Sequence, residues 1–158
     1  MRLATKDDCA SIMDLIMELA VFEKLPEQVR ITKETLIRDG FESDPPYFQC
    51  FVAVNDSRVI GYALYFYSYS TTEGGQGLYL EDLYVTESMR GLGVGSRLFI
   101  EVAKQAVATK SFCMQWCVLN WNMKAINFYK SLGAFDLTLK DKWNMYRIDE
   151  EGLHSLCQ

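Results

Sequence analysis

A glycine-rich turn at residues 90–96 is the segment with the clearest chemical character. It reads Arg90-Gly91-Leu92-Gly93-Val94-Gly95-Ser96, between a predicted strand and a predicted helix. The first turn of a helix exposes N–H groups at the positive end of the helix dipole, and glycine lets the main chain approach an anion closely. Because Arg90 adds a positive charge suited to phosphate oxygens, the segment predicts a phosphate-binding turn.

The spacing of the glycines excludes two common phosphate-binding loops. A dinucleotide fingerprint would need a glycine at position 96, where the chain has Ser96. A P-loop would need a lysine directly after the glycines, and this chain has none there. Taken alone, the turn indicates a phosphate-bearing ligand and leaves open a plain structural turn between strand and helix.

Two adjacent carboxylates could take part in proton transfer. Glu81 and Asp82 lie in the strand before the turn, and on a regular strand their side chains would point to opposite faces. One of them can therefore face a substrate cleft. Tyr129, on a later predicted helix, has the spacing of a core aromatic residue. The two carboxylates equally fit an ordinary solvated surface.

Composition and charge limit the class of function. The chain has 158 residues, of which 49% are hydrophobic and 23% charged, and this predicts one globular domain spanning residues 1–158. The formal net charge of -5 argues against binding to the backbone of a nucleic acid, which usually requires a basic face. It suits a cationic or neutral partner.

The cysteines and the single histidine argue against cross-links and metal. Five cysteines form no recognisable disulfide framework, and His154 is the one histidine, so we expect a reducing compartment and no metal site. No apolar run has the length of a membrane span and the N-terminus has no signal-peptide pattern, so we expect a cytoplasmic protein with no membrane partner.

The periodicity of the sequence predicts the elements that hold these residues. Helices are expected at residues 5–23, with Thr5 or Asp7 as the cap, and then at 32–39 (ended by Gly40), 93–109 and 124–132 (ended by Gly133). Strands are expected at 48–54, 59–67, 77–85, 112–119, 135–139 and 143–148. A polar, mobile loop is expected at 71–77, and little room remains for a strand before the first helix. The order predicts an α/β fold with a mixed, mostly antiparallel sheet and helices on both faces.

Four segments together resemble one known family. The Arg-x-x-Gly-x-Gly spacing is similar to the pyrophosphate loop of the Gcn5-related N-acetyltransferases, which bind coenzyme A. Within that superfamily the chain resembles the diamine acetyltransferases, a group that includes the spermidine/spermine and the thialysine acetyltransferases. The segments that carry this likeness are Glu18-Leu-Ala-Val-Phe-Glu-Lys-Leu25, Leu78-Tyr-Leu-Glu-Asp-Leu-Tyr-Val85, the turn at 90–96, and Trp121-Asn-Met-Lys-Ala-Ile-Asn-Phe-Tyr-Lys-Ser-Leu-Gly-Ala134.

The resemblance implies a fold, a reaction and a set of site residues. It implies the Gcn5-related fold, acetyl-CoA as acetyl donor, a small aliphatic amine as acceptor, and a homodimer. The residues that it places around the donor are Leu83, Tyr84, Val85, Arg90, Gly91, Leu92, Gly93, Val94, Gly95, Ser96, Asn122, Met123, Lys124, Ala125 and Tyr129. Those that it places around the acceptor are Phe22, Glu23, Glu81, Asp82, Gln115, Trp116 and Cys117.

The resemblance also implies catalytic roles. An alkylammonium with a pKa of about 10.4 is almost entirely protonated near neutral pH, so a base must remove a proton before the amine can attack. The resemblance makes Glu81 this base, acting through water, with Asp82 helping to attract the cation. It makes Tyr129 the general acid for the departing thiolate.

Two departures from the family pattern bear on the acceptor. The loop at 71–77 lacks the tryptophan that family members often carry there, and Asn120 stands where they tend to have a carboxylate. Both changes weaken the case for a long polyamine such as spermine. Two other readings stay open: acetylation of a protein lysine, and a noncatalytic coenzyme A-binding module on the same fold.

Overall fold

The computed structural model describes residues 1–142 and 145–157. These residues form two compact units, Met1–Cys117 and Val118–Gln158. The first unit contains a sheet in the order β1-β2-β3-β4-β5. The strands are β1 (Arg2–Leu3), β2 (Gln49–Asn55), β3 (Arg58–Ser70), β4 (Gly75–Val85) and β5 (Met114–Gln115).

The pairing of the strands confirms the predicted fold class. The first four strands are antiparallel neighbours, and β4 and β5 are parallel. The helices of the first unit are α1 (Cys9–Glu23), α2 (Lys33–Ile37) and α3 (Val94–Ala108). A core cluster joins α1 and α2 to one face of the sheet through Ile12, Leu15, Leu36 and Tyr62. On the other face, α3 packs with Leu98 beside Gly61.

The strands β2, β3 and β4 lie close to their predicted positions. The four-residue connection between β2 and β3 is the predicted hairpin, with Asn55 opposite Arg58 and with Asp56 and Ser57 both at positive φ. Such a turn matches the twist of the two strands. The predicted mobile loop at 71–77 is shorter than expected, because residues 75–77 already pair with β3 as part of β4.

Strand β1 was not expected. It pairs with β2, with Arg2 opposite Val52, and an ion pair also fixes the side chain of Arg2. Arg2 contacts both carboxylate oxygens of Asp8, at 2.6 and 2.8 Å, and the main-chain N–H and hydroxyl of Thr5 donate to the same carboxylate. Thr5, rather than Asp7, therefore precedes the short 3-10 turn that leads into α1. The contact joins residues six positions apart, and no local periodicity reports it.

The second predicted helix continues past its expected end. A π-helical turn, Arg38–Glu42, follows α2 and passes through Gly40. The ring of Phe48 lies so close to Gly40 that a Cβ there would come within 2.5 Å of it. Gly40 therefore leaves room for the ring of Phe48 and does not end the helix.

The second unit contains three helices among its described residues, which are α4 (Met123–Ser131), α5 (Leu137–Asp141) and α6 (Glu150–Leu156). Helix α4 confirms the predicted helix, with Gly133 at positive φ just after it. The predicted strand at 135–139 is wrong, because Asp136 caps a helical turn there by accepting from the N–H groups of Thr138 and Leu139. The predicted strand at 143–148 falls partly on Trp143 and Asn144, outside the described residues, and 145–149 have no regular secondary structure.

The predicted strand at 112–119 is also mostly wrong. Met114 and Gln115 form the strand, opposite Leu78 and Tyr79 of β4, and Phe112 and Cys113 each add one main-chain hydrogen bond, to Gln76 and Leu78. Within the described residues, no helix is long and apolar enough to cross a membrane.

The Arg2–Asp8 pair makes a prediction about stability. The Arg2 guanidinium and the Thr5 donors lower the pKa of Asp8 to about 2. Because the folded pKa lies below the unfolded value near 3.9, the stabilisation is fully present above pH 4 and is lost as pH falls toward 2. Asp8→Asn should lower the free energy of unfolding at pH 7 by about 2 kcal/mol and flatten its pH dependence between pH 4 and 2.

Urea unfolding of the wild type and the variant over this pH range measures the effect. Asp7→Asn, at the neighbouring exposed carboxylate, is the matched control and should change little. An equal loss in both variants would contradict the role given to the pair.

Candidate active site

Strand β4 leaves one edge open where the site residues lie. In the described residues, β5 pairs with β4 no further than Tyr79, whereas β3 stays paired with β4 as far as Val85. The N–H of Thr86 bonds to the carbonyl of Ile60 across the β3 side at 3.0 Å. In an antiparallel sheet, opposite residues alternate between pairs that are joined by main-chain hydrogen bonds and pairs that are not. The N–H and C=O groups of Tyr84 therefore point to β3, and those of Leu83 and Val85 point to the open edge.

A β-bulge changes the predicted placement of Glu81 and Asp82. Leu64 pairs with Asp82, but the next residue, Tyr65, pairs with Leu80, so Glu81 has no partner on β3. The assumption of a regular strand is therefore wrong at this point. Bulges of this kind aim side chains away from the strand and are frequent beside active sites. Glu81 is exposed, and Asp82 is half-buried.

Asp82 lies in an acidic cluster with Glu23 at the end of α1. The hydroxyl of Tyr62 donates to Asp82 Oδ2 at 3.0 Å. Burial, opposed by this hydrogen bond and reinforced by the charges of Glu81 and Glu23, raises the pKa of Asp82 to about 6. Burial also raises the pKa of Glu23. The first unit thus brings together the three carboxylates predicted on the acceptor side.

The glycine turn takes the conformation that a phosphate-binding turn requires. Gly91 and Gly93 have φ values of 81° and 74°, and Gly93 is the N-cap of α3. A Cβ built on Gly91 would meet no atom within 4 Å, so the space above this residue is open. The first N–H groups of α3 have no partner inside the helix. These features fit a pyrophosphate group, and burial of Val94 anchors the start of the helix.

Arg90 is held by contacts within the protein. Its Nε donates to the carbonyl of Val85 at 2.8 Å. Its guanidinium lies between the rings of Phe22 and Tyr84, 5.1 and 5.0 Å from their centroids. Each such contact contributes about 0.5–1 kcal/mol at a partly exposed site. The arginine thereby connects the end of α1 to the glycine turn, while its predicted contact with phosphate stays a prediction.

The three acceptor residues predicted in and just after β5 make different contacts. Gln115 is opposite Tyr79 in the sheet. The Tyr79 hydroxyl donates to the thiol of Cys117 at 3.1 Å. Trp116 packs edge-on against Phe99 of α3, with the ring centroids 5.2 Å apart. The ring of Trp116 therefore contributes to packing on the helix side of the sheet.

The second unit holds the remaining predicted residues on and before α4. Asn122 caps this helix, because its side chain accepts from the N–H of Ala125 at 3.2 Å. Met123 and Lys124 follow in the first turn and are exposed. Tyr129 lies against Phe128, with the ring centroids 5.2 Å apart, and burial raises the pKa of Tyr129 to about 12.

Sequence reasoning missed two residues on β3. Gly61 permits a close contact between β3 and β4, because a Cβ there would lie 2.7 Å from the carbonyl oxygen of Tyr84 and 3.3 Å from Leu98. Tyr62 is fully buried and bonds to Asp82. A glycine and a tyrosine in succession inside a predicted strand was the available signal, since glycine there often marks a close approach.

The position of Arg90 makes a second prediction. Arg90→Lys keeps the positive charge but loses the planar stacking between Phe22 and Tyr84. It should destabilise the fold by about 1–2 kcal/mol and accelerate hydrogen exchange in residues 21–25 at the end of α1. Arg58→Lys, at an exposed arginine that begins β3, is the matched control. Unchanged exchange at 21–25 in Arg90→Lys would contradict the connecting role of Arg90.

Solved structures match this fold closely. An integron cassette protein from Vibrio cholerae has a TM-score of 0.80 at 24% identity, with 99% of this chain and 96% of that chain covered. A possible acetyltransferase from Clostridium difficile 630 has a TM-score of 0.74 at 22% identity, with 94% and 95% covered. At these identities the likeness establishes the fold alone.

Sequence relatives extend the match to the family. A thialysine N-epsilon-acetyltransferase from Mus musculus is 43% identical, covering 99% of this chain and 95% of its own. A spermidine/spermine N(1)-acetyltransferase-like protein 1 from Homo sapiens is 38% identical over 96% of this chain and 23% of its own. The model of the acetyltransferase (GNAT) family matches residues 10–134. The chain therefore belongs to the GNAT family and is an N-acetyltransferase.

Proposed function

We propose that this protein transfers the acetyl group of acetyl-CoA to a primary amine of a small aliphatic acceptor. The acceptor class comprises diamines, polyamines and lysine analogues such as thialysine. The observation that carries the proposal is the cluster of Glu23, Glu81 and Asp82, which lies in the same unit as the glycine turn. Two further features support it: the open edge of β4 and the relatives that are named for thialysine.

The donor is assigned to the open edge of β4 and to the glycine turn. Acetyl-CoA supplies an activated thioester and a sulfur leaving group. The main-chain groups of Leu83 and the N–H of Val85 suit the pantetheine arm, since an extended chain can add to an unpaired strand edge. The turn from Gly91 to Ser96 suits the pyrophosphate. We assign Asn122, Met123, Lys124 and Ala125 to the donor on the family resemblance.

The acceptor is assigned to the acidic cluster. An alkylammonium is attracted by Glu23, Glu81 and Asp82, and the low polarity around Asp82 strengthens that attraction. Glu81 is the base that we propose, acting through water, because the bulge leaves this residue out of the pairing with β3 and its side chain is exposed. Phe22, Gln115, Trp116 and Cys117 complete the residues that we assign to the acceptor, with Trp116 in a packing role.

Tyr129 is the acid that we propose for the departing sulfur. With a pKa of about 12, its phenol stays protonated throughout the neutral range. A thiol has a pKa near 8.5, so complete proton transfer from such a phenol to a thiolate is uphill. Tyr129 therefore acts first by hydrogen bonding to the sulfur as its negative charge develops. The ammonium nitrogen loses two protons on becoming an amide: one is removed through Glu81 and released to solvent, and the other protonates the departing thiolate.

The homodimer and the cytoplasmic location also stand as proposals. Both come from the family resemblance and the sequence composition. Light scattering on a sizing column measures the first, and fractionation of cells measures the second.

A panel of amines tests the proposed function. Acetyl-CoA is incubated with thialysine, lysine, putrescine, spermidine, spermine and a histone peptide, while release of the free thiol is followed. We expect turnover with thialysine and putrescine and weaker turnover with spermine, because the loop at 71–77 lacks an aromatic residue and Asn120 replaces a carboxylate.

The variant Tyr129→Phe is the catalytic control in that panel. It should lower kcat by about 10²–10⁴, while acetyl-CoA binding changes little. Turnover of the peptide alone would favour the protein-lysine reading. Coenzyme A binding without turnover of any amine would favour the noncatalytic module.

The role of Glu81 predicts a dependence on pH. Glu81→Gln removes a base whose help matters while the amine is protonated, and matters less as pH approaches the amine pKa of about 10.4. The loss in kcat/KM should therefore be greatest near pH 7 and shrink toward pH 10. Glu87→Gln, at an exposed carboxylate beside the glycine turn, is the matched control. A loss of the same size at every pH would assign Glu81 to binding or folding instead.

A further inference from the structure

A buried tyrosine hydroxyl on β3 bonds to the acceptor-side carboxylate. Tyr62 has 0% exposure and lies in the core cluster below α1. Tyr62 is opposite Tyr84, and Leu64 is opposite Asp82, so Tyr62 and Asp82 are diagonal neighbours across the two strands. The hydroxyl lies 3.0 Å from Asp82 Oδ2. A phenylalanine would fill most of the same core volume, so the hydroxyl itself requires an explanation.

The surroundings of Asp82 oppose its negative charge. Glu81 on the same strand and Glu23 from α1 both repel it, and Cys50 from β2 contributes a thiol whose pKa is raised by burial, so the thiol stays neutral. Tyr62 from β3 provides the one side-chain hydrogen bond to Asp82 among the described residues. A buried charge without a hydrogen-bond donor is strongly disfavoured.

We propose that Tyr62 is a positioning residue for acetyl transfer, whose hydroxyl holds Asp82 by Oδ2 and leaves Oδ1 for the ammonium group of the acceptor. This inference rests on the proposed function and adds a residue to it. A carboxylate fixed through one oxygen presents the other in a defined direction, which limits the poses of a small cation. The hydroxyl also keeps the carboxylate ionised.

The hydrogen bond from Tyr62 favours the ionised form of Asp82. The pKa of Tyr62 is raised well above its ordinary value, mainly by burial, so its phenol remains a donor at every working pH. Its hydrogen bond lowers the pKa of Asp82, which burial has raised to about 6. A hydrogen bond to a charged group corresponds to about one to two pKa units. Loss of the hydroxyl therefore moves the pKa of Asp82 further upward, so that a larger fraction of the carboxyl is protonated at neutral pH.

The variant Tyr62→Phe tests the role in catalysis. The acidic limb of kcat/KM for the acceptor should shift upward by about one to two pH units. The KM for the acceptor at pH 7 should rise several-fold, and the KM for acetyl-CoA should stay constant. A purely structural role would change both KM values and leave the limb in place, and that result would overturn the inference.

Tyr65→Phe is the matched control. Tyr65 is on the same strand, is equally buried at 0% exposure, and donates to the neutral side chain of Gln49 at 2.8 Å. The variant Tyr65→Phe therefore removes a buried hydroxyl that donates to a neutral amide and not to a carboxylate. Its pH profile should match that of the wild type, and a matching shift in this control would overturn the specific role of Tyr62.

A titration without substrate makes the test independent of activity. The ¹³C signal of the Asp82 carboxyl, identified by its absence in Asp82→Asn, should titrate at a higher pH in Tyr62→Phe than in the wild type. An unchanged midpoint would overturn the proposal, even in a protein that acetylates none of the amines tested. An inactive wild type with a shifted midpoint would contradict the proposed function and retain the Tyr62–Asp82 coupling.

A second variant covers the case in which Tyr62→Phe does not fold. Placing 3-fluorotyrosine at position 62 by codon suppression keeps the shape and makes the phenol a stronger donor. The midpoint of Asp82 should then move downward, opposite to the effect of Tyr62→Phe. A midpoint that stays in place or moves upward would overturn the inference.

Discussion

The unequal pairing of β4 is the constraint on which the rest of the site depends. On one side β3 pairs with it as far as Val85, and on the other β5 pairs with only two residues. Main-chain donors and acceptors on an unpaired edge need partners, from water or from a ligand. The same strand continues into the glycine turn and α3, so its open edge and the glycine turn are built from one continuous segment.

The bulge at Glu81 gives two adjacent carboxylates different surroundings. Glu81 is left exposed, while Asp82 is held against Tyr62 in a half-buried position. Adjacent acids with different environments have different proton affinities, which is the usual way in which one site provides both a base and a cation-binding group. Burial of Asp82 near Glu23 lowers the free energy of unfolding, and a bound cationic acceptor would reduce this destabilisation.

Local patterns in the sequence predicted the elements that form from neighbouring residues. Alternation and the Asn55–Arg58 connection located β2 and β3, and the glycines located the start of α3. Elements determined by distant contacts were missed. Strand β1 forms by pairing with β2, with Arg2 opposite Val52, and β5 forms by pairing with β4, with Met114 opposite Leu78.

Short apolar runs misled the prediction near the end of the chain. Residues 135–139 alternate like a strand, but the capping side chain of Asp136 favours a helical turn, and periodicity alone does not separate the two.

The site was predicted in the same uneven way. Family motifs identified Glu23, Glu81 and Asp82, whereas the partner of Asp82 depends on a strand register that includes a bulge, and no sequence spacing reports such a register.

The placement of Arg90 between Phe22 and Tyr84 has a thermodynamic consequence. One side chain contacts both the helix end that carries Glu23 and the strand that leads to the glycine turn. If a molecule at either place changes the freedom of this guanidinium, the affinity at the other place changes by the same factor, because linkage between two binding equilibria is reciprocal. The sign of that change is the same for both molecules, so neither could weaken the binding of the other without its own binding being weakened equally.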